Sequence, residues 1–213
     1  MFGYRGWRRQ WGQDRVCGGA LVWQLNDCWP VTSWSIVDYF QRKKPAYYAM
    51  RRVLAPIAVA VKRAHFDWSV VHARVPKTSD YEVWVASQRQ HEISATVELR
   101  YISIKTGVEI KDKVVKRVDL VPNGTTDVYS GTIDNRNEEP HVLSARLWID
   151  DEIVSRDVDW PQPLKYLDFE HRGVQVIPHG DTIVVRAEAS RPCTRIRETT
   201  TDLALVCSGR PKG

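Results

Sequence analysis

The stretch from Trp23 to Trp34 holds the residues best suited to chemistry. Three tryptophans (Trp23, Trp29 and Trp34) bracket a single pair of hydrogen-bonding side chains, Asn26 and Asp27. An indole offers a flat apolar face, and an amide or carboxylate beside it directs hydrogen bonds to one edge. That combination suits a sugar ring, whose C–H faces are apolar and whose rim is polar. The same indoles could also serve as core, but their concentration is uneven: five of the nine tryptophans fall in the first 34 residues. Asp27 is a lone carboxylate there, which is half of what paired acid–base hydrolysis requires.

No other group of residues competes as a reactive site. His65, His72, His91, His141, His171 and His179 show no metal-ligand spacing, and Cys17, Cys28, Cys193 and Cys207 form no CxxC pair. The cysteines read as free thiols in a reducing compartment, and no metal or other cofactor is implied. The net charge of +5 is unevenly placed: residues 1–63 carry eleven Lys and Arg against three Asp, and the remainder is acidic. The basic residues come in helix-like groups (Arg8, Arg9; Arg42, Lys43, Lys44; Arg51, Arg52), which reads as a solvated helix face. A nucleic acid is therefore not an expected partner. There is no run of eighteen apolar residues, so no membrane span is expected. The first twenty residues lack the apolar stretch of a signal peptide. With 43% hydrophobic and 27% charged residues and a mean hydropathy of −0.40, the composition is that of a globular protein.

The elements that must position Trp23 and its neighbours can be read from periodicity. Tyr4, Trp7 and Trp11 share one face of a helix over Tyr4–Arg15, which Gly18-Gly19 ends. Ala20 to Leu25 is a nearly continuous apolar run, as expected of a strand buried on both faces in a parallel sheet. A loop follows from Asn26 to Ser35. Pro45 opens a helix to about Val53, with Pro56 as a stop just beyond. One such helix–strand–loop–helix unit cannot bury its own faces, which suggests truncation of a βα barrel or doubly wound sheet. From Ile57 the period becomes two. Seven β-rich runs are predicted: Ile57–Lys62, Trp68–Val75, Tyr81–Ser87, Ser94–Ile104, Val114–Val121, Asp127–Ile133 and Val142–Ile149. Seven short strands with turn signals between most of them predict an antiparallel immunoglobulin-like sandwich over residues 57–160. Asp159 to Pro163 reads as a linker. Val174–Ile177 and Thr182–Ala187 read as opening strands of a further β domain over residues 161–213, incomplete or atypical, whose alternation fades from Arg191. Asn123-Gly124-Thr125 is a formal glycosylation sequon, but Pro122-Asn123-Gly124 is also a good turn, the preferred reading.

The run Trp23-Gln24-Leu25-Asn26-Asp27-Cys28-Trp29-Pro30, within Gly18 to Tyr39, resembles the β-mannosidases of glycoside hydrolase family 2, nearest the fungal intracellular type. The likeness continues through Arg42–Arg52, His65–Arg74, Val121–Asp127 and Asp157–Tyr166, and is lost from about Arg191. The resemblance implies that residues 1–56 are the last βα unit of a (β/α)8 catalytic barrel, with the sandwich next in the chain. It implies an enzyme that removes terminal β-D-mannose from the non-reducing end of mannose-containing oligosaccharides with retention, and a cytoplasmic location. The oligomeric state stays open, with a dimer among the options for fungal relatives. Retaining chemistry needs two carboxyl groups about 5–5.5 Å apart. By the resemblance both are glutamates upstream of this segment, and the first glutamate here is Glu82, already in the predicted sandwich. The expectation is a C-terminal piece of such an enzyme with no catalytic residue and no activity of its own. By the resemblance Trp23 borders the sugar pocket. Asn26 and Asp27 would orient hydroxyls or brace the loop, Trp29 would face a leaving-group subsite or pack below the loop, and Trp34 would pack. A non-catalytic β-sandwich module that binds carbohydrate or a protein is the competing reading.

Overall fold

The computed structural model describes residues 2–13, 16–68, 75–167, 175–179, 182–186 and 196–199. Two helices come first, α1 (Phe2–Gln13) and α2 (Pro45–Val53). α2 begins and ends where the prolines place it. Pro45 sits in its first turn, where no intrahelical N–H is needed. Arg51 and Arg52 lie in the last turn, where cations face the carbonyl end of the helix.

Seven antiparallel strands follow: β1 (Ile57–Arg63), β2 (Thr78–Ser87), β3 (Ile93–Ser103), β4 (Glu109–Leu120), β5 (Gly124–Asp134), β6 (His141–Ile149) and β7 (Glu152–Asp159). They form two sheets, β1-β2-β5 and β4-β3-β6-β7. Alternate residues of each sheet meet in one core: Val59 and Val61, Val83 and Val85, Val97 and Leu99, Leu143 and Leu147, with Leu120 and Ile133. Full burial of a side chain of this size contributes about 1.5–3 kcal/mol. The result is the predicted immunoglobulin-like sandwich.

Six of the seven predicted strands coincide with observed ones. Of Trp68–Val75, residues 69–74 lie outside the described residues, while Trp68 is in a turn and Val75 outside any strand. β7 was not predicted. Its charged, half-apolar run (Glu152 to Asp159) lacks a clear alternation, yet Ser155, Asp157 and Asp159 have a specific task. At every second residue their side chains accept the N–H groups of Val59 (3.1 Å), Val61 (3.0 Å) and Arg63 (3.3 Å). These N–H groups line the edge of β1 that faces away from β2. A buried edge needs its donors satisfied, and side chains of β7 do this across the seam between the sheets. Arg63 also pairs with Asp159 at 2.8 Å, and Arg5 of α1 pairs with Asp157.

β2 differs from a half-solvated strand. Tyr81, Val83 and Val85 face the core as the alternation requires, but Trp84 and Ala86 on the other face are also buried. Helix α1 covers that face, with the Arg9 guanidinium 4.8 Å from the centre of the Trp84 ring and paired with Glu82 and Asp127. The turn before β5 takes the form read from Pro122-Asn123-Gly124, with Asn123 at φ 44° and its N–H donated to Arg89 O (2.7 Å).

Ala20–Leu25 corrects the sequence reading, since it forms no strand. Leu21 is 96% exposed and Leu25 59%. An apolar run becomes a buried strand only where strands flank it on both sides, and none of the described residues does so. α1, α2 and the sandwich form one compact unit, Met1–Ser103 with Glu109–Tyr166. The second unit contains Ile104–Val108 and the chain from Leu167. Its described strands β8 (Gln175–His179), β9 (Thr182–Arg186) and β10 (Ile196–Thr199) form an antiparallel sheet in the order β8-β9-β10. β8 and β9 match the two strands expected there, and β10 lies in the tail where no strand was expected.

Candidate functional site

The Trp-rich segment folds as a looped ribbon held by its own backbone. Asn26 bridges Val37 in parallel, and Val37 bridges Lys43 in antiparallel sense. Val37 donates to Leu25 O (2.9 Å), Ile36 to Gln24 O (3.2 Å), Asp27 to Val37 O (3.1 Å) and Lys44 to Ile36 O (3.0 Å). The Tyr4 hydroxyl donates to Leu21 O (2.8 Å), which ties α1 to the same ribbon. The Trp23–Gln24 peptide bond is cis.

Asp27 is the centre of this loop. Its side chain is 2% exposed. One carboxylate oxygen accepts the Ser33 hydroxyl, and the other accepts Lys44 Nζ at 3.0 Å. Lys44 Nζ also donates to Ser35 Oγ (2.7 Å) and Ser33 O (3.4 Å), and Ser35 N donates to Ser33 Oγ (3.0 Å). The Ser33 hydroxyl, aided by Ser35 and the Lys44 ammonium, holds the Asp27 carboxyl below its ordinary range. Both oxygens of Asp27 are thus committed to the loop. Of the two roles open to it from sequence, the geometry fits bracing.

Ser33 and Ser35 were not singled out from sequence, and Lys44 was read there as part of a solvated basic helix face, whereas it stands before α2 and pairs with Asp27. One signal was present: a buried Asp needs a cation, and Lys44 stands immediately before the helix-opening Pro45. Asn26 is exposed, with its amide donating to Asp27 O (3.3 Å). Trp23 is 78% exposed, Trp29 68% and Trp34 73%, so packing of Trp34 is not what the structure has. Three indoles therefore stand on the outside of a loop whose Asp27 and Ser35 are turned in. Such a surface offers flat apolar faces on a rigid base and no ionised group free for proton transfer.

The sandwich has a concavity of its own at the end where β1, β5 and β7 finish. It measures about 760 Å³, and Phe66, Trp68, Trp160, Asn135, Glu138 and His141 are among its lining. Phe66 and Trp68 meet edge to face with centroids 4.8 Å apart, and Tyr166 lies beside Trp68 at 6.0 Å. Beneath this end the Tyr81 and Tyr101 hydroxyls share a 2.6 Å hydrogen bond.

Comparisons with known proteins agree with this architecture. Residues 79–166 match the family described as the mannosidase Ig/CBM-like domain. β-Mannosidase B of Neosartorya fischeri is 63% identical over 179 residues, 83% of this chain and 21% of the relative. β-Mannosidase B of Emericella nidulans is 56% identical over 211 residues, 99% of this chain and 23% of the relative. That second match includes the stretch after Arg191, where no resemblance was read from sequence. The chain thus spans about a fifth of the length of the curated relatives it matches. Among solved structures, the β-D-mannosidase of Dictyoglomus thermophilum superposes with a TM-score of 0.63 at 19% identity, covering 88% of this chain and 22% of that one.

Proposed function

We propose that this chain, which is homologous to the β-mannosidase B proteins of several fungi, works as part of a retaining exo-β-mannosidase and carries one aromatic wall of its sugar site. The observation that carries the reading is Trp23, held 78% exposed on a loop whose own carboxylate is fully engaged in bracing. On this reading Trp23 is the apolar platform under the terminal mannose, and Asn26 reaches a hydroxyl. Asp27 fixes the loop, and Trp29 flanks the leaving group. The two carboxyl groups of retaining chemistry come from other segments of the enzyme, since no glutamate precedes Glu82. Residues 1–56 then belong to a (β/α)8 barrel whose neighbouring strands would flank Ala20–Leu25. Residues 57–160 form the sandwich domain, and 161–213 begin a further β domain. The nearness to the intracellular type favours a cytoplasmic location, which fractionation of the native host would check.

A chimera tests the activity. The matching fifth of a fungal β-mannosidase B is replaced by this chain, and hydrolysis of p-nitrophenyl β-D-mannoside is measured. Activity near the parent's supports the reading. A folded chimera with no activity, or one that prefers another glycoside, overturns it.

One observation favours a second reading, a sandwich that binds carbohydrate without cleaving it. The concavity lined by Phe66, Trp68 and Trp160 joins aromatic faces to Asn135 and Glu138, a combination suited to sugars. Calorimetry with mannobiose on the whole chain separates the readings through Trp68→Ala and Trp160→Ala. Heat lost in those variants would assign binding to the sandwich, and heat lost in Trp23→Ala would assign it to the loop.

A further inference from the structure

The loop that carries the three exposed indoles is closed by a side chain from outside it. Lys44 stands at the N-cap position of α2, with Pro45 in the first turn of the helix. A proline confines the residue before it to extended backbone, and Lys44 has φ −78° and ψ 162°. Its side chain makes no capping hydrogen bond to the helix. Its N–H donates to Ile36 O (3.0 Å), next to the bridge between Val37 and Lys43. Val37 in turn bridges Asn26. The backbone therefore lays Lys44 along one side of the middle strip of the ribbon, and its four-carbon stem crosses that strip to the loop on the other side.

The ammonium ends in a complete set of acceptors. It has three N–H donors, and it donates to Asp27 Oδ2 (3.0 Å), Ser35 Oγ (2.7 Å) and Ser33 O (3.4 Å). Ser35 Oγ passes a hydrogen bond on to Val37 O (2.9 Å), and the Ser33 hydroxyl donates to the second Asp27 oxygen. One cation thus joins both ends of the excursion from Asp27 to Ser35 to the start of α2. Trp29 and Trp34 lie within that excursion, and Trp23 and Asn26 come just before it. α2 is held at its other end, where Arg8 Nη1 donates to Val53 O (2.6 Å) and Ala55 O (2.7 Å).

We propose that Lys44 is a positioning residue for the sugar site: its ammonium sets where the indoles and Asn26 stand relative to α2. The proposal rests on the mannosidase reading for what the loop grips; the hold on the loop itself does not. The backbone bonds of Ile36 and Val37 to Gln24 and Leu25 would keep the base of the ribbon without Lys44. They do not tie Asp27 to Ser33 and Ser35, which is the part that carries Trp29 and Trp34. A lysine suits this place better than an arginine, because a compact ammonium meets acceptors grouped around one atom, whereas a guanidinium spreads its donors in a planar fork.

The test uses Lys44→Met alone and together with Asp27→Asn. The single variant strips a buried carboxylate, 2% exposed, of its cation and can loosen the fold. The double variant removes both charges and should recover most of the lost melting temperature. The whole chain is labelled with 5-fluorotryptophan, and its fluorine resonances are assigned by single Trp→Phe variants. In the double variant the Trp23, Trp29 and Trp34 signals should shift or broaden, while those of Trp84 and Trp160 in the sandwich stay in place. Unmoved Trp23, Trp29 and Trp34 signals overturn the proposal. The same double variant in the active chimera should lower kcat/KM about tenfold, or about 1.4 kcal/mol, at a recovered melting temperature. Parental kcat/KM there would show that the pair serves stability only, and overturns the positioning role. A parent chimera without activity overturns the mannosidase reading instead, and the fluorine signals still decide whether Lys44 holds the loop.

Discussion

At the scale of single residues, Asp27 and Trp23 differ in where their side chains go, one into the loop and the other out to its surface. Asp27 holds the loop from inside, and its carboxyl is depressed by the hydrogen bonds it accepts. A depressed carboxyl contributes stability that is fully present above the unfolded value and is lost as pH falls through the folded one. Thermal melts of the parent chain should therefore show the loop weakening on the acid side, and Asp27→Asn should lower the melting temperature at neutral pH and flatten that acid-side slope. Amide exchange at Val37 and Lys44 reports the same change locally. Trp23 contributes nothing comparable to folding, because most of its ring is exposed. In the active chimera Trp23→Ala should leave the melting temperature in place and lower kcat/KM about 10- to 100-fold, a loss of about 1.4–2.8 kcal/mol of transition-state binding. Steady-state kinetics beside a melt separates the two effects.

At the scale of elements, the seam between β1 and β7 is the most consequential. Three acceptors spaced two apart satisfy three donors spaced two apart, and Arg5 and Arg63 close the row. Removing Asp157 takes from Arg5 the carboxylate it pairs with and from the Val61 N–H its acceptor, in a buried place. Asp157→Ala should cost about 3–5 kcal/mol in denaturant unfolding, the range for breaking one side of a buried pair. Burial outweighs the neighbouring cations and raises the carboxyls of Asp157 and Asp159. Their sign is opposite to that of Asp27: the folded state binds the proton more tightly, so their contribution falls as pH rises from the ordinary carboxyl range through the raised values. β5 offers a second test. A Cβ at Gly131 would come within 2.5 Å of the Tyr81 hydroxyl and 2.7 Å of its ring. Because the ring itself is in the way, Gly131→Ala should destabilise by about 1–3 kcal/mol, and adding Tyr81→Phe should not restore the loss.

At the scale of the whole molecule, the chain displays an apolar surface that a free-standing domain does not usually keep. Leu21, Trp23, Trp29, Trp34 and Phe40 are each more than 60% exposed on one short segment. Contiguous apolar patches of this kind mark contact surfaces or cause aggregation. The isolated chain is accordingly expected to self-associate with rising concentration, seen as a growing weight-average mass in sedimentation or light scattering. Trp29→Ser with Trp34→Ser should reduce it. The isolated chain is also expected to leave p-nitrophenyl β-D-mannoside intact.

The sequence by itself determined the elements whose cause is local. Period-two alternation placed six strands within a few residues, Pro45 and Pro56 bounded α2, and Pro122-Asn123-Gly124 made its turn, because each depends on neighbouring residues and on one apolar face. It also determined that Trp23, Asn26 and Asp27 stand together, since they are adjacent in the chain. What depends on partners distant in sequence was decided only by the tertiary structure. β7 pairs with β6 through its backbone, but its polar alternate side chains have their reason in an edge 96 residues away, a relation that no local period encodes. Ala20–Leu25 has the composition of a buried strand but lacks flanking strands among the described residues. The Asp27 carboxylate is taken up inside the loop because Lys44, seventeen residues on, folds back to meet it. Arg8, a charge on a helix face in the sequence, becomes a buried cation with an unbonded edge only when α1 and α2 close over the sheet.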